Sequence, residues 1–289
     1  MRAALSLAIL LLLTAACRRE ADPALIERHF LPGTEYTITA HMRSERSLHV
    51  EGPGGELRPM GREQRQEMTT RSLLRVDPAT DGICPVELEV PLYRVSLPDE
   101  RVRVNLTGCL GLGRYETATR RLDWEGIKDS LWSAPAMVDS GWTVQVLPLP
   151  EAAAYLHSTM LLLGSSLSDS TRRLMPGQGW REESRQETMI GQWPVAWREL
   201  RTVTLRTVVD DLAIFDVKVE LEIDPPNAGA TLSLEGEGSG RIDFDLRRRF
   251  TAANLLETRM TIEVVDSSAT WIARSATSLD IRTASRLMP

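Results

Sequence analysis

The sequence is poor in the residues that most often bind metals or nucleic acid. Its 289 residues include three cysteines, four histidines and only two lysines, Lys128 and Lys218, and the formal net charge is -6. A mildly acidic chain without a basic stripe is a poor nucleic-acid binder, so we exclude nucleic acid as a partner. The cysteines and histidines show no metal-ligand spacing, and we predict neither a metal site nor a cofactor.

Apolar runs of signal-peptide length are lacking after the N-terminus. At the N-terminus itself, Arg2 supplies a positive charge, and Leu5 to Leu13 form the apolar region of a signal peptide. The uncharged stretch from Ala3 to Cys17 is too short for a membrane-spanning helix, which needs about 20 residues. The chain is therefore predicted to be exported.

The end of this region, Leu13-Thr14-Ala15-Ala16-Cys17, resembles the lipobox of bacterial lipoproteins. The resemblance implies that residues 1–16 are removed, and that Cys17 receives diacylglycerol on its thiol and an acyl chain on its amino group. It implies a lipid-anchored protein of the bacterial envelope, with the outer membrane favoured over the inner. Thr14 stands where leucine is commonest, so a plain secretory peptide cut after Ala16 and an uncleaved anchor remain as alternatives.

The cysteine count fits a lipid on Cys17. Cys84 and Cys109 are then an even pair in an oxidising compartment, and we predict a disulfide between them. Closing a loop of roughly 25 residues would contribute about 3–4 kcal/mol. A hairpin turning at Pro98-Asp99 would place Cys109 opposite Leu88 rather than Cys84, so this disulfide requires a bulge or a longer path.

Alternating apolar and polar residues dominate the chain from Thr34 onward. Two clear examples are the apolar positions of residues 86–92 and 217–223, with acidic residues between them. A period of two with one polar face is typical of antiparallel sheet that is wetted on one side. We predict a mainly β protein whose antiparallel sheets form a curved sheet or a sandwich.

Helical patterns are scarce. Pro150 precedes and Gly164 follows the clearest one, Glu151 to Leu163. A second short helix is predicted after Asp123, where apolar residues recur at helical spacing: Trp124, Ile127 and Leu131. One or two helices are thus expected between the β-rich parts.

The chain divides at the linker-like residues that follow the clearer helix. We predict a tether at 17–33, a first β-rich half at 34–150, a helix and linker at 151–178, and a second β-rich half at 179–289. The segments 48–58, 104–114 and 232–242 echo one another as strand, glycine-rich break and strand. A duplicated sheet unit would explain the echo, and so would convergent hairpin chemistry.

The glycine-rich stretch 235–240 is the strongest candidate for an anion site. A phosphate-binding loop must open a helix, but residues 241–246 alternate like a strand, and Glu235 and Glu237 would repel phosphate. We therefore predict a hairpin or bulge. No nucleophile elbow occurs, and the histidines are scattered. The chain is predicted not to be an enzyme.

Tryptophan is unusually frequent, with seven residues against four Phe and four Tyr, and six of the seven fall between residues 124 and 197. One interpretation is core packing where the halves meet. The other is a cleft for an apolar or sugar-like ligand, lined by Trp132, Trp142, Trp180, Trp193 and Trp197.

The mature chain is similar to exported bacterial β-rich lipoproteins of unknown function that are built from two related sheet halves. The resemblance rests on Pro-Gly-Gln-Gly-Trp at 176–180, the later strands and Gly-Glu-Gly at 236–238. It implies a fold and no catalytic residues. We expect a non-catalytic binding or assembly module, held on the membrane by its anchor, whose partner is an apolar ligand or an envelope protein. An envelope hydrolase with an unrecognisable active site and a structural interaction protein are the alternatives.

Overall fold

The fold is known from a computed structural model that describes residues 23–52, 54–61, 63–96, 101–104, 110–127, 135–138, 143–146, 171–224, 230–267 and 269–288. The signal peptide, Cys17 and the helix expected at 151–163 lie outside these residues. Within them, no helix is long and apolar enough to cross a membrane.

Seventeen strands account for the regular structure of the described residues. They are β1 (Ala24–Ile26), β2 (Thr34–Glu51), β3 (Leu57–Pro59), β4 (Gln64–Val76), β5 (Ile83–Ser96), β6 (Arg101–Val104), β7 (Leu110–Glu116), β8 (Arg121–Ile127), β9 (Pro135–Val138), β10 (Thr143–Val146), β11 (Arg172–Leu174), β12 (Gly179–Ile190), β13 (Trp193–Val209), β14 (Leu212–Ile223), β15 (Thr231–Asp245), β16 (Phe250–Val265) and β17 (Thr270–Leu287).

Fifteen of these strands form one sheet in which every pairing is antiparallel. Its main path runs β10-β9-β6-β5-β4-β2-β17-β16-β15-β14-β13-β12, with β3 on β2, β7 on β5 and β8 on β7, while β1 and β11 pair separately. The prediction of a mainly antiparallel β protein is confirmed. The strands of both predicted halves lie in this one sheet, because β2 pairs with β17 along the full length of both strands.

The described residues contain no helix, so the expected helices are not confirmed. The helix predicted after Asp123 is wrong, since Trp124 and Ile127 belong to β8, which pairs with β7. Pairing between strands overrides the helical spacing of three apolar residues. The similar segments at 48–58 and 232–242 also differ in structure. Residues 52–56 connect two strands, whereas 235–240 lie inside β15.

One face of the sheet is buried and the other is wetted. Tyr36, Ile38 and Ala40 of β2 are buried and alternate with residues that point to the opposite face. Three groups of buried apolar side chains cover the buried face. One lies on β2, β4 and β5, one on β13 to β15, and one where β12 and β13 approach β16 and β17.

The sheet bends sharply at β15. Cα atoms of β14 and β16 come within 8 Å of each other, although strands separated by one strand would stand about 9.6 Å apart in a flat sheet. A Cβ on Gly238 would lie 2.7 Å from Thr258 Cγ2 and 2.8 Å from the backbone oxygen of Glu257. The hairpin or bulge predicted at 235–240 is therefore wrong. These glycines permit close approach across a strand, and the face they occupy is the concave one.

The predicted Cys84–Cys109 disulfide is not supported. Cys84 is a free thiol, fully buried and paired with Tyr115 across β5 and β7. Leu110 pairs with Glu89, five positions along β5, which is about 17 Å from Cys84. The Cα atoms of a disulfide stand no more than about 7 Å apart. Cys109 itself lies outside the described residues.

The N-terminal segment is attached to the fold from residue 24 onward rather than being a free tether up to residue 33. β1 pairs with β11, and the carboxylate of Glu27 accepts hydrogen bonds from Arg120 at 2.7 Å and from Arg249 at 3.0 Å. Phe30 packs edge-on against Tyr36. Six residues therefore separate Cys17 from the first strand.

Candidate ligand-binding cleft

A cleft of about 640 Å³ opens on the concave face, a volume in the range of small-molecule sites. Seven strands line it: β2, β4, β12, β13, β14, β16 and β17. Its apolar side chains are Leu48, Met60, Met189, Ile190, Trp197, Leu221, Met260, Ile262 and Ala273. The bend at β15 creates the cleft, because it turns β12 and β13 toward β17 and β2.

Strand register explains why distant residues meet in this cleft. Leu48 is paired with Ala273, and Ala273 is paired with Ile262. Directly opposed residues of an antiparallel sheet project from the same face. Trp197 of β13 belongs to the same apolar cluster. We call Leu48, Ala273, Ile262 and Trp197 the apolar layer.

One end of the cleft is closed by the turn between β12 and β13. The Trp193 indole N–H donates to Asp266 Oδ2 at 3.0 Å, which ties this turn to the one between β16 and β17. Gly191 has a positive φ of 59°, and a Cβ there would lie 3.0 Å from Trp271 Cε3. The turn therefore packs closely against the ring of Trp271.

Next to the apolar layer, polar side chains cross the concave face in two adjacent rows. The pairings Ser44 with Thr277 and Thr277 with Thr258 belong to one row, and the pairing of Arg46 with Ser275 belongs to the next. We call this set the polar belt: Ser44, Arg46, Glu199, Arg201, Thr258, Ser275 and Thr277. Apolar residues resume in the following row, with Met42 opposite Leu279.

The charged groups of the belt differ in their partners. Arg201 Nη2 donates to Glu199 Oε1 at 3.0 Å, and both side chains are about one-fifth exposed, at 21% and 22%. Arg46 is exposed and has no hydrogen bond or ion pair with any residue that the structure describes. The belt thus contains one neutralised pair and one cation without a counter-charge.

The five tryptophans predicted to form a cleft occupy different places. Trp197 lines the cleft, and Trp193 belongs to the same apolar cluster. Trp180 lies in another cluster, 5.6 Å from the ring of Phe215, and its indole N–H donates to Glu182 at 2.7 Å. Trp132 and Trp142 lie outside the described residues.

Sequence reasoning missed most of the cleft. The apolar side chains of Leu48 and Met60 and the charge of Arg46 were not singled out. The alternation in β2 would have placed Leu48 on a buried face. Which strands lie side by side is not contained in that alternation, so their meeting could not be predicted.

A histidine and a tyrosine form the most conspicuous titratable pair outside the cleft. His29 Nδ1 and Tyr115 Oη are 2.9 Å apart. Burial lowers the pKa of His29, with Arg249 and Arg120 acting in the same direction, and burial raises the pKa of Tyr115. The Glu27 carboxylate is bound by Arg120 and Arg249. A neutral imidazole beside a buried phenol is suited to holding the N-terminal segment in place.

No group of three or more His, Cys, Asp or Glu residues in the described part of the chain could hold a metal ion. The acidic side chains of β14 behave as a solvated strand face. Glu220 is 45% exposed and pairs with Lys218 at 2.7 Å, and this hydrogen bond lowers the pKa of its carboxyl group.

No protein-family model and no curated protein matches the chain. Among solved structures, an outer membrane channel from Pseudomonas putida F1 aligns over 89% of this chain and 97% of its own, at 9% sequence identity and a TM-score of 0.24. A TM-score this low does not establish a shared fold, and we infer nothing about function from it.

Proposed function

We propose that the protein is a lipid-anchored, non-catalytic module of the bacterial envelope that binds an amphipathic small molecule on its concave face. One observation carries the proposal, namely a cleft of about 640 Å³ that has an apolar layer beside a polar belt. A ligand with one apolar and one polar part can bury the first and keep the second hydrogen-bonded.

The methionine side chains at the rims of the cleft favour a ligand of variable shape. Met60 follows β3 at one side of the cleft, and Met189 lies on β12 at the other. Their side chains are 50% and 61% exposed. Met260 lies between them in the lining. Methionine is unbranched and polarisable, so it adapts to different apolar surfaces. Exposed methionines around a concave opening are therefore suited to contacting a flexible chain.

The N-terminal sequence supports an attachment close to the membrane. Seven residue steps separate Cys17 from Ala24, where the first strand begins. A fully extended chain of that length spans at most about 25 Å. A lipid on Cys17 would hold the fold within that distance of the bilayer, where amphipathic molecules are abundant.

The binding proposal is tested with N-phenyl-1-naphthylamine, an uncharged probe that fluoresces in apolar surroundings. We expect a saturable fluorescence increase with the wild-type protein. Met260→Gln places an amide among the apolar lining residues and should weaken binding about tenfold, the equivalent of about 1.4 kcal/mol. Thr261→Gln, the neighbouring position on the opposite face of β16, is the control and should bind normally. A non-saturable signal, or equal affinity of both variants, would count against the cleft.

The anchor is tested by Cys17→Ser. Two or three acyl chains hold a protein firmly on a membrane, at about 0.8 kcal/mol per buried methylene. We expect the wild-type protein in the membrane fraction and the variant released from it, as measured by fractionation and by the intact mass. Cys109→Ser is the control and should remain bound. A Cys17→Ser protein that stays on the membrane would refute the lipid anchor.

A further inference from the structure

We infer that the cleft binds an anionic amphiphile, with a carboxylate or phosphate head group held by Arg46 and an apolar tail directed into the apolar layer. The inference rests on the proposed function, since it specifies the chemistry of the ligand for the same cleft. It follows from the position of one arginine and from the pairing of the charges around it.

Arg46 stands on the concave face of β2, five residues before the end of that strand. Its direct neighbours across the strands are Gln64 on β4 and Ser275 on β17. An amide and a hydroxyl can both donate hydrogen bonds, so the three side chains together offer several donors to one anion. The guanidinium adds a planar fork that matches two oxygens of a carboxylate or a phosphate.

The acidic groups around the cleft are already paired. Glu199 accepts a hydrogen bond from Arg201 at 3.0 Å, and Glu187 lies 3.5 Å from Arg185. Arg274 also borders the cleft, but it alternates with Ala273 and Ser275, so its side chain leaves β17 on the opposite face from theirs. Arg46 is therefore a cation facing the cleft that no described residue neutralises.

The distance from Arg46 to the apolar layer matches the separation between the head group and the apolar tail of such a ligand. Leu48 follows Arg46 on the same face of β2, about 7 Å further along the strand. Ala273 and Ile262 lie beside Leu48 at that level. A chain that begins at the guanidinium would leave the polar belt within a few bonds and continue among apolar side chains toward Trp197.

The test compares three twelve-carbon amphiphiles as competitors of bound N-phenyl-1-naphthylamine: laurate, 1-dodecanol and dodecyltrimethylammonium. We expect laurate to displace the probe from the wild-type protein at about tenfold lower concentration than the other two. In Arg46→Gln this preference should disappear, so that laurate and 1-dodecanol displace the probe at similar concentrations, and a urea unfolding midpoint close to that of the wild-type protein shows that the variant is folded. Arg43→Gln removes the same charge from the convex face of β2 and should keep the preference for laurate.

Each outcome separates the two proposals. If the wild-type protein does not bind the uncharged probe, the proposed function and the anion assignment are both overturned. If the probe binds and the three amphiphiles displace it equally, only the anion assignment is overturned. If laurate is preferred equally by the wild-type protein and by Arg46→Gln, the cleft selects anions through another group and Arg46 does not hold the head group.

Discussion

Replacement of Gly240 by valine is expected to lower the free energy of unfolding by roughly 3 kcal/mol, at the upper end of the usual cost of overpacking. Gly240 lies inside β15 on the concave face, where the sheet bends. A Cβ at this position would overlap the backbone oxygen of Leu255 and approach Leu256 Cδ1 to 3.1 Å. Because the nearest atom belongs to the backbone of β16, a rotamer change cannot relieve the overlap.

We expect the overlap in Gly240→Val to cost more stability than the higher strand propensity of valine can offset. Valine is favoured in strands over glycine, on a scale that spans about 1 kcal/mol. The overlap with β16 would force β15 and β16 apart and reduce the curvature that turns β12 toward β17. We expect the variant to unfold at a lower urea concentration and to bind N-phenyl-1-naphthylamine less tightly.

Ser239→Val is the matched control, because it introduces the same side chain one position away. Ser239 is exposed on the convex face of β15. Surface substitutions of this kind usually change stability by no more than about 0.5 kcal/mol. If Gly240→Val is as stable as Ser239→Val, close packing of β16 over this glycine does not determine the bend.

The alternation of apolar residues correctly predicted which face of the strands is buried. Val86, Leu88 and Val90 were expected on one face of a strand, and all three are at most 2% exposed. This agreement has a simple cause, because a sheet with one wetted face requires side chains to alternate with a period of two. Fold class therefore follows from local sequence alone.

The role of the glycines in β15 could not be obtained in this way. Glycine is suited both to tight turns and to close approach of neighbouring strands, and its local sequence is similar in the two cases. Only the positions of Thr258 and Leu255 on β16 identify the second use. The same limit applies to Arg46, whose neighbours Gln64 and Ser275 are set by pairing between distant strands.

Replacement of Arg75 by methionine is expected to lower the free energy of unfolding by about 3 kcal/mol, because it leaves a buried carboxylate short of counter-charge. Arg75 Nε donates to Glu35 Oε2 at 3.1 Å, and the Glu35 side chain is only 6% exposed. Arg75 also lies 3.4 Å from Glu89 and 4.0 Å from Glu87. The hydrogen bond to Glu35 raises the pKa of Arg75, so the arginine carries its charge at every working pH.

Arg286 lessens this loss without removing it. Its Nη2 lies 2.7 Å from Glu35 Oε1, but its side chain is 75% exposed and belongs to the end of β17. Arg75 lies near the end of β4, between the neighbouring strands, where it joins Glu35 of β2 to two carboxylates of β5. Without it, Glu35 of β2 and the two carboxylates of β5 would lie on either side of β4 with no cation between them. Urea unfolding at neutral pH measures the effect, which corresponds to a fall in Tm of roughly 6–12 °C.

Two further variants identify the cause of that loss. Arg282→Met is the control, since Arg282 is 71% exposed and pairs with Asp280 on its own strand, and exposed pairs contribute at most about 1 kcal/mol. Glu35→Gln in the Arg75→Met background removes the buried charge while keeping the shape of the side chain. We expect the double variant to be more stable than Arg75→Met alone. If it is equally unstable, the loss comes from the packing of the arginine stem rather than from an unpaired carboxylate.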